Sequence, residues 1–157
     1  MTAISHRIEF DSARWRSLVR AGLVFSAYFI TGWLGLKLPY FDSHITLIWL
    51  PTGIAVAALL RWGNAMWPGI ALGAVLVNWS IGAALPLACA TAIGNTLAPC
   101  LTATWLRRAG FNPSFNRQVD VVNFIAASAS GMLISASGGV FALYLAGEVG
   151  SESLGIA

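Results

Sequence analysis

The stretch from Ile48 to Asn78, IWLPTGIAVAALLRWGNAMWPGIALGAVLVN, constrains this chain most. Two apolar runs meet there at a tight break, Arg61–Trp62–Gly63–Asn64. Each run opens on a Trp/Pro/Gly cluster: Trp49, Pro51 and Gly53, then Trp67, Pro68 and Gly69. A helix pair bathed in water needs a polar face, and neither run has one. Asn78 is the first strongly hydrogen-bonding side chain after the break, so the solvent that suits this hairpin is lipid.

Composition agrees with that reading. Of 157 residues, 57% are hydrophobic and 10% charged, and the mean hydropathy is +0.74. That is too little charge to clothe a soluble globule of this size. The expected fold class is all-α, a polytopic transmembrane helical bundle. Cys89 and Cys100 sit in one apolar run, about 16 Å apart by helical rise, too far to bridge. They read as small core residues. The net charge of +3 does not point to nucleic acid, because the basic residues are not gathered into a patch with interleaved aromatics.

Hydropathy divides the chain into about five spans, at 18–38, 45–60, 65–80, 84–106 and 119–146. Residues 1–17 form an aqueous N-terminal tail with a turn expected at Trp15, and 147–157 a polar C-terminal tail. A secretory signal is the competing reading of the first run, but that run is long for a signal core and GLKLPYFD offers no small-x-small cleavage site. The second span is short and calls for local thinning of the bilayer. Forty apolar residues from Ala65 to Leu106 must fold back, and Ser80–Ile81–Gly82 is the natural reversal.

Arginine placement gives the orientation. Arg7, Arg14, Arg16, Arg20, Arg61, Arg107, Arg108 and Arg117 all fall on one side of a five-span arrangement, with Lys37 alone opposite and able to snorkel. The N-terminus is therefore expected in the cytoplasm, in a multi-pass protein of the cell inner membrane. An odd number of spans leaves the C-terminus outside.

No catalytic constellation is visible. His6 and His44 lie on opposite sides of the membrane, and the chain has no HxxxH, CxxC, paired carboxylates, GxSxG or phosphate loop. Neither a metal nor a cofactor is expected. No charge is expected to be buried inside a span, which argues against a pump or coupled transporter.

Uncharged polarity in the outer and middle bilayer remains. Trp49 and Thr52 on the second span, Asn78 on the third and Asn95 on the fourth could converge about 10 Å below the outer surface. Two readings stay open: a sensory pocket for a small molecule or lipid, or ordinary interhelical hydrogen bonding that fixes the packing. Pro51 and Pro99 remove backbone donors inside spans, giving a hinge or a simple kink. Gly69 and Gly73 form a small-xxx-small pair, and Ala127, Gly131, Ser135 and Gly139 a stripe at four-residue spacing. These are helix-packing faces, within the bundle or between the copies of a homodimer. Trp15, Trp33, Trp62, Trp67, Trp79 and Trp105 fall near span ends, as interfacial anchors do.

Three motifs, W-x-P-[ST]-G-I-A at Trp49–Ala55, W-P-G-I-x-L-G-A at Trp67–Ala74 with Asn78, and G-N-T at Gly94–Thr96 leading to L-R-R-x-G-F at Leu106–Phe111, carry a family resemblance. Over about Leu34 to Leu145 the chain resembles the membrane-associated sensor domain of the first type, a MASE-family sensor of bacteria. The resemblance implies a multi-span input module without enzymatic activity of its own, usually fused to PAS, histidine-kinase, GGDEF or EAL output domains. It implies about eight spans, so this chain would be the N-terminal part of the domain with its output in cis beyond it. It supplies no ligand and no binding residues. The expected function is therefore sensory input to a two-component or cyclic-di-GMP signalling protein. The alternative is a fragment of a transporter or channel, which broken helices at Pro51 and Gly94–Asn95 would suit and the lack of intramembrane charge disfavours.

Overall fold

The computed structural model describes residues 2–37, 49–145 and 147, with side chains placed at 14–37 and 49–144. The described residues form five α-helices: α1 (Thr2–Lys37), α2 (Leu50–Trp62), α3 (Trp67–Ser80), α4 (Leu85–Arg108) and α5 (Gln118–Leu145). A single 3-10 turn, Asn64–Met66, joins α2 to α3.

The helix starts follow from proline. α2, α3 and α4 each carry Pro in the first turn, at Pro51, Pro68 and Pro86. There the missing N–H is one the helix could not have paired anyway, and the fixed φ is already helical. Pro51 thus sits in the first turn of α2 as described. Among the described residues Pro99 alone lies inside a helix, α4. The expected opening of the second span at residues 45–48 lies outside the described residues. At the other end of α2, Gly63 adopts φ +82° and returns its N–H to the Leu59 carbonyl, a left-handed exit that suits glycine.

α1 differs from expectation at its start. The polar segment is helical from Thr2 and runs without a turn at Trp15 into the apolar run. No Gly or Pro precedes Gly22, and Arg7, Asp11 and Arg14 recur at three- and four-residue spacing, which supports a continuous helix in water.

α1 packs against α2 and α3, and α4 against α2, α3 and α5. Helices α1, α2, α4 and α3 therefore close a ring, while α5 lies outside it on α4. The ring encloses one core of Val24, Tyr28, Ala55, Leu59, Met66, Ile70, Val77 and Ala103. Small residues set the spacing: a Cβ added at Gly69 would collide with the Ala21 carbonyl of α1, and one added at Gly73 would lie 3.0 Å from the Tyr28 ring.

Among the described residues three helices are long and apolar enough to cross a membrane: Arg14–Lys37 within α1, α4, and Gln118–Tyr144 within α5. α2 and α3, with 13 and 14 residues, reach only about 20 Å against a hydrocarbon core of about 30 Å. Large apolar side chains point outward from the spanning helices, among them Leu23, Ile30, Ile93, Leu97, Ile125, Leu133 and Phe141. Water does not tolerate such a surface over a whole bundle, and lipid does.

Candidate functional site

Because α2 and α5 both lean on α4 without closing on each other, a groove of about 730 Å³ opens between them. One face of α2 supplies Thr52, Gly53, Val56 and Leu60, with Trp49 just before the helix, residues at the three- and four-residue spacing of a single helical side. α4 forms the floor with Ala98 and Thr102, and α5 the far wall with Phe124, Ser128, Gly131 and Met132. Arg61, Arg107, Phe111 and Phe115 surround one end. Among the described residues the lining is mostly apolar and contains no carboxylate.

The groove's floor and wall are locked together by close approach. Gly131 lets α5 reach the Thr102 hydroxyl and the Ala98 carbonyl, and Thr102 donates to the Ala127 carbonyl at 3.1 Å. Further along, Ser135 donates to Asn95 Oδ1 at 2.8 Å. As far as Ser135, then, the small-residue stripe of α5 faces α4 within the chain, whereas a Cβ at Gly139 would meet nothing within 4 Å.

The basic end is built by a clamp. Arg107 donates Nη1–H to the Leu59 carbonyl at 3.1 Å and Nη2–H to Asn64 Oδ1, so a guanidinium from α4 caps the last turn of α2. Arg20 stacks over Trp62 at 5.9 Å, and Lys37 over Trp33 at 3.9 Å at the opposite end of α1.

Behind the basic end, the loop 109–117 is fastened by Asp120, which is buried in the first turn of α5. Asp120 accepts from the Asn112 N–H at 3.0 Å and from Arg117 Nε–H at 2.8 Å, and Arg117 Nη2–H also reaches the Gly110 carbonyl at 2.7 Å. Hydrogen bonding to Asp120, and then the charge of that carboxylate, raise the Arg117 pKa above its ordinary value. Phe111, Phe115 and Phe124 pack edge-on and stacked above this clasp. The expectation that no charge is buried within a span is thereby corrected. An acid at the entry of a helix satisfies free N–H groups and the helix dipole, and the Arg117-x-x-Asp120 spacing was the signal for it.

The four polar residues singled out from the sequence separate here. Trp49 and Thr52 line the groove. Asn78 does not; its side chain donates back to the Ala74 carbonyl of its own helix at 2.8 Å. Asn95 is spent on Ser135. Apart from Gly131, read as a packing residue, the groove residues of α5 escaped the sequence reading, as did Phe115 of the 109–117 loop. Their spacing marks a face of α5, but nothing local says which helix that face meets.

One further polar atom stands out. The Tyr28 hydroxyl is buried without a completed hydrogen bond, and the Trp49 indole lies beside it. Cys89 and Cys100 are both free thiols. Among the described residues no three His, Cys, Asp or Glu side chains come together.

No solved structure matches the chain significantly. Over 61 residues, 39% of this chain, it is 41% identical to the probable diguanylate cyclase DgcE of Escherichia coli (strain K12), a segment amounting to 5% of that protein. The enzyme domain of that relative has no counterpart in this chain. The MASE1 family matches residues 18–157, nearly the whole chain and all of its helices from the apolar part of α1 onward. The chain belongs to the MASE1 family of membrane sensory domains.

Proposed function

We propose that this domain is the input module of a bacterial signalling protein, that the groove between α2, α4 and α5 is its input site, and that the output is a cyclic-di-GMP enzyme or histidine kinase carried in cis. The groove carries the proposal: it is roomy, within the range of about 300–1,000 Å³ usual for ligand sites, it is apolar, and it has charge at one end only. Family membership and the likeness to a probable diguanylate cyclase support the kind of output.

In this reading all five helices cross the inner membrane, α2 and α3 as a short pair in locally thinned bilayer. The N-terminus, the Arg61/Arg107 end of the groove and the loop 109–117 lie in the cytoplasm. Grouping of Arg20, Arg61 and Arg107 at one end of the bundle and Lys37 at the other supports that orientation. Exposed α5 residues beyond the groove, with Gly139, are the face for pairing two copies.

The test has two parts. Alkaline phosphatase fused after Ala157 is active in cells only if the chain crosses an odd number of times; an inactive enzyme with a fluorescent cytoplasmic reporter at the same position refutes the topology. Ala57→Trp, which fills the groove, changes signalling output from the complete gene product at unchanged membrane level; unchanged output removes the groove from the input role.

A further inference from the structure

The groove has a shape and a charge pattern that specify more than an apolar occupant. Its long wall runs from Trp49 to Arg61, a rise of about 18 Å along the helix axis, close to half of the roughly 30 Å hydrocarbon core. It lies along the helices and opens sideways between α2 and α5, in the direction from which a lipid enters. At the basic end Arg61 is exposed and makes no ion pair among the described residues. Arg107 is held in place by Leu59 and Asn64 with further N–H donors of its guanidinium unspent.

From this we infer that the groove binds one anionic phospholipid of the cytoplasmic leaflet, its acyl chain along α2 and its phosphate between Arg61 and Arg107. The inference rests on the orientation given above and deepens the sensory reading by naming the class of molecule the input site takes. An apolar trough with two cations at its headgroup end complements a lipid that is negative at the head and oily below. A zwitterionic lipid fits less well, because among the described lining residues no carboxylate can pair with its ammonium. A small polar metabolite fits worse, because little in the trough above the arginines would hydrogen-bond it. Gly53 and Ala57 on α2, with Gly53 open to the groove, leave room for the chain.

The experiment is native mass spectrometry of the purified 157-residue chain titrated with phosphatidylglycerol or phosphatidylcholine carrying identical acyl chains. Each arginine near a lipid headgroup is worth about fivefold in affinity. The first phosphatidylglycerol should therefore bind at least about fivefold more tightly than the first phosphatidylcholine. Arg61→Gln should lower phosphatidylglycerol affinity about fivefold and leave phosphatidylcholine unchanged, Arg61→Lys should keep most of the preference, and Ala57→Trp should remove the first-bound lipid of either kind. Gly53→Leu serves in place of Ala57→Trp if that variant does not accumulate. Equal affinity for the two lipids in the unaltered chain, or an Arg61→Gln variant of normal thermal stability with unchanged preference, overturns the inference. So does efficient disulfide formation between Ala57→Cys copies, which would put a second copy in the groove.

The binding readout makes no use of signalling. Selective lipid binding with output insensitive to Ala57→Trp would keep the lipid site and remove its sensory role. Output abolished by Ala57→Trp without lipid selectivity would do the reverse.

Discussion

Replacing helical glycines by alanine separates the glycines that bring helices together from those that merely sit in them. Alanine is favoured over glycine in a helix by about 1 kcal/mol, so the substitution is neutral or stabilising wherever the new methyl has room. Gly139 is such a place, with nothing within 4 Å of the added carbon. Gly69 is the opposite: the carbon would strike the Ala21 carbonyl oxygen and lie 3.2 Å from its carbon and 3.4 Å from the Phe25 nitrogen. These are backbone atoms, so no rotamer change relieves the clash, and α1 and α3 must part. Overpacking of this kind costs about 1–3 kcal/mol, and because the helix gain is common to both substitutions the two variants should differ by about that amount. Gly131→Ala, which meets the Thr102 hydroxyl and the Ala98 carbonyl 3.3 Å away, should fall between them, because a hydroxyl can rotate. Unfolding of the purified variants by SDS in mixed micelles, followed by tryptophan fluorescence, measures the order. Equal midpoints for Gly69→Ala and Gly139→Ala would refute the packing argument.

Other expectations follow from single contacts. Asn95→Ala should destabilise the bundle by about 0.5–1.7 kcal/mol, the range of an interhelical hydrogen bond in lipid, through loss of the Ser135 partner. Asn78→Ala, which gives up only a bond within its own helix, should cost less than Asn95→Ala in the same SDS assay. Tyr28→Phe removes a buried hydroxyl with no completed bond and should be neutral or stabilising by up to about 1 kcal/mol; a loss of stability would show that the Trp49 indole completes the bond. Asp120→Asn releases Arg117 and weakens the hold on the Asn112 N–H, and limited proteolysis of inverted vesicles should cut the loop 109–117 several-fold faster, while the helical content by circular dichroism stays the same.

Helix ends were legible because they are written in local chemistry. The break at Arg61–Asn64 and the reversal at Ser80–Gly82 stand where expected, as do the starts and ends of α4 and α5 to within two residues. At α2 the described helix begins at Leu50 with Pro51 in its first turn, where proline is cheap, and the expected upstream part of that span, residues 45–48, lies outside the described residues. Position along each helix axis was also legible, since it follows from a fixed rise per residue. Rotation about the axes was not. Asn78 and Asn95 sit at plausible depths for one pocket, yet one folds back on its own helix and the other faces α5. Which faces meet depends on glycines at crossing points, such as Gly69 and Gly131, and those act between segments far apart in the chain. Asp120 lies within the fifth span by hydropathy, and what was not legible is its burial, which depends on the loop 109–117 folding back so that Asn112 and Arg117 donate to it.

The ring-plus-one arrangement gives α2 an unusual position. Ala55, Ala58 and Leu59 face the core shared with α1 and α3, while Thr52, Val56 and Leu60 face the groove. Its Arg61 end is pinned, by Arg107 on the Leu59 carbonyl and by Arg20 on Trp62. Its other end, at Trp49, meets a tyrosine hydroxyl that lacks a full partner. A helix held at one end and under-bonded at the other can pivot, and a molecule in the groove presses on its whole length. Such a molecule biases the rest of the bundle only to the extent that it binds two settings of α2 with different affinity; a tenfold difference amounts to 1.4 kcal/mol, about the worth of the one hydrogen bond that Tyr28 lacks. The physical condition for input through this groove is therefore modest, and it is concentrated at the Trp49–Tyr28 contact.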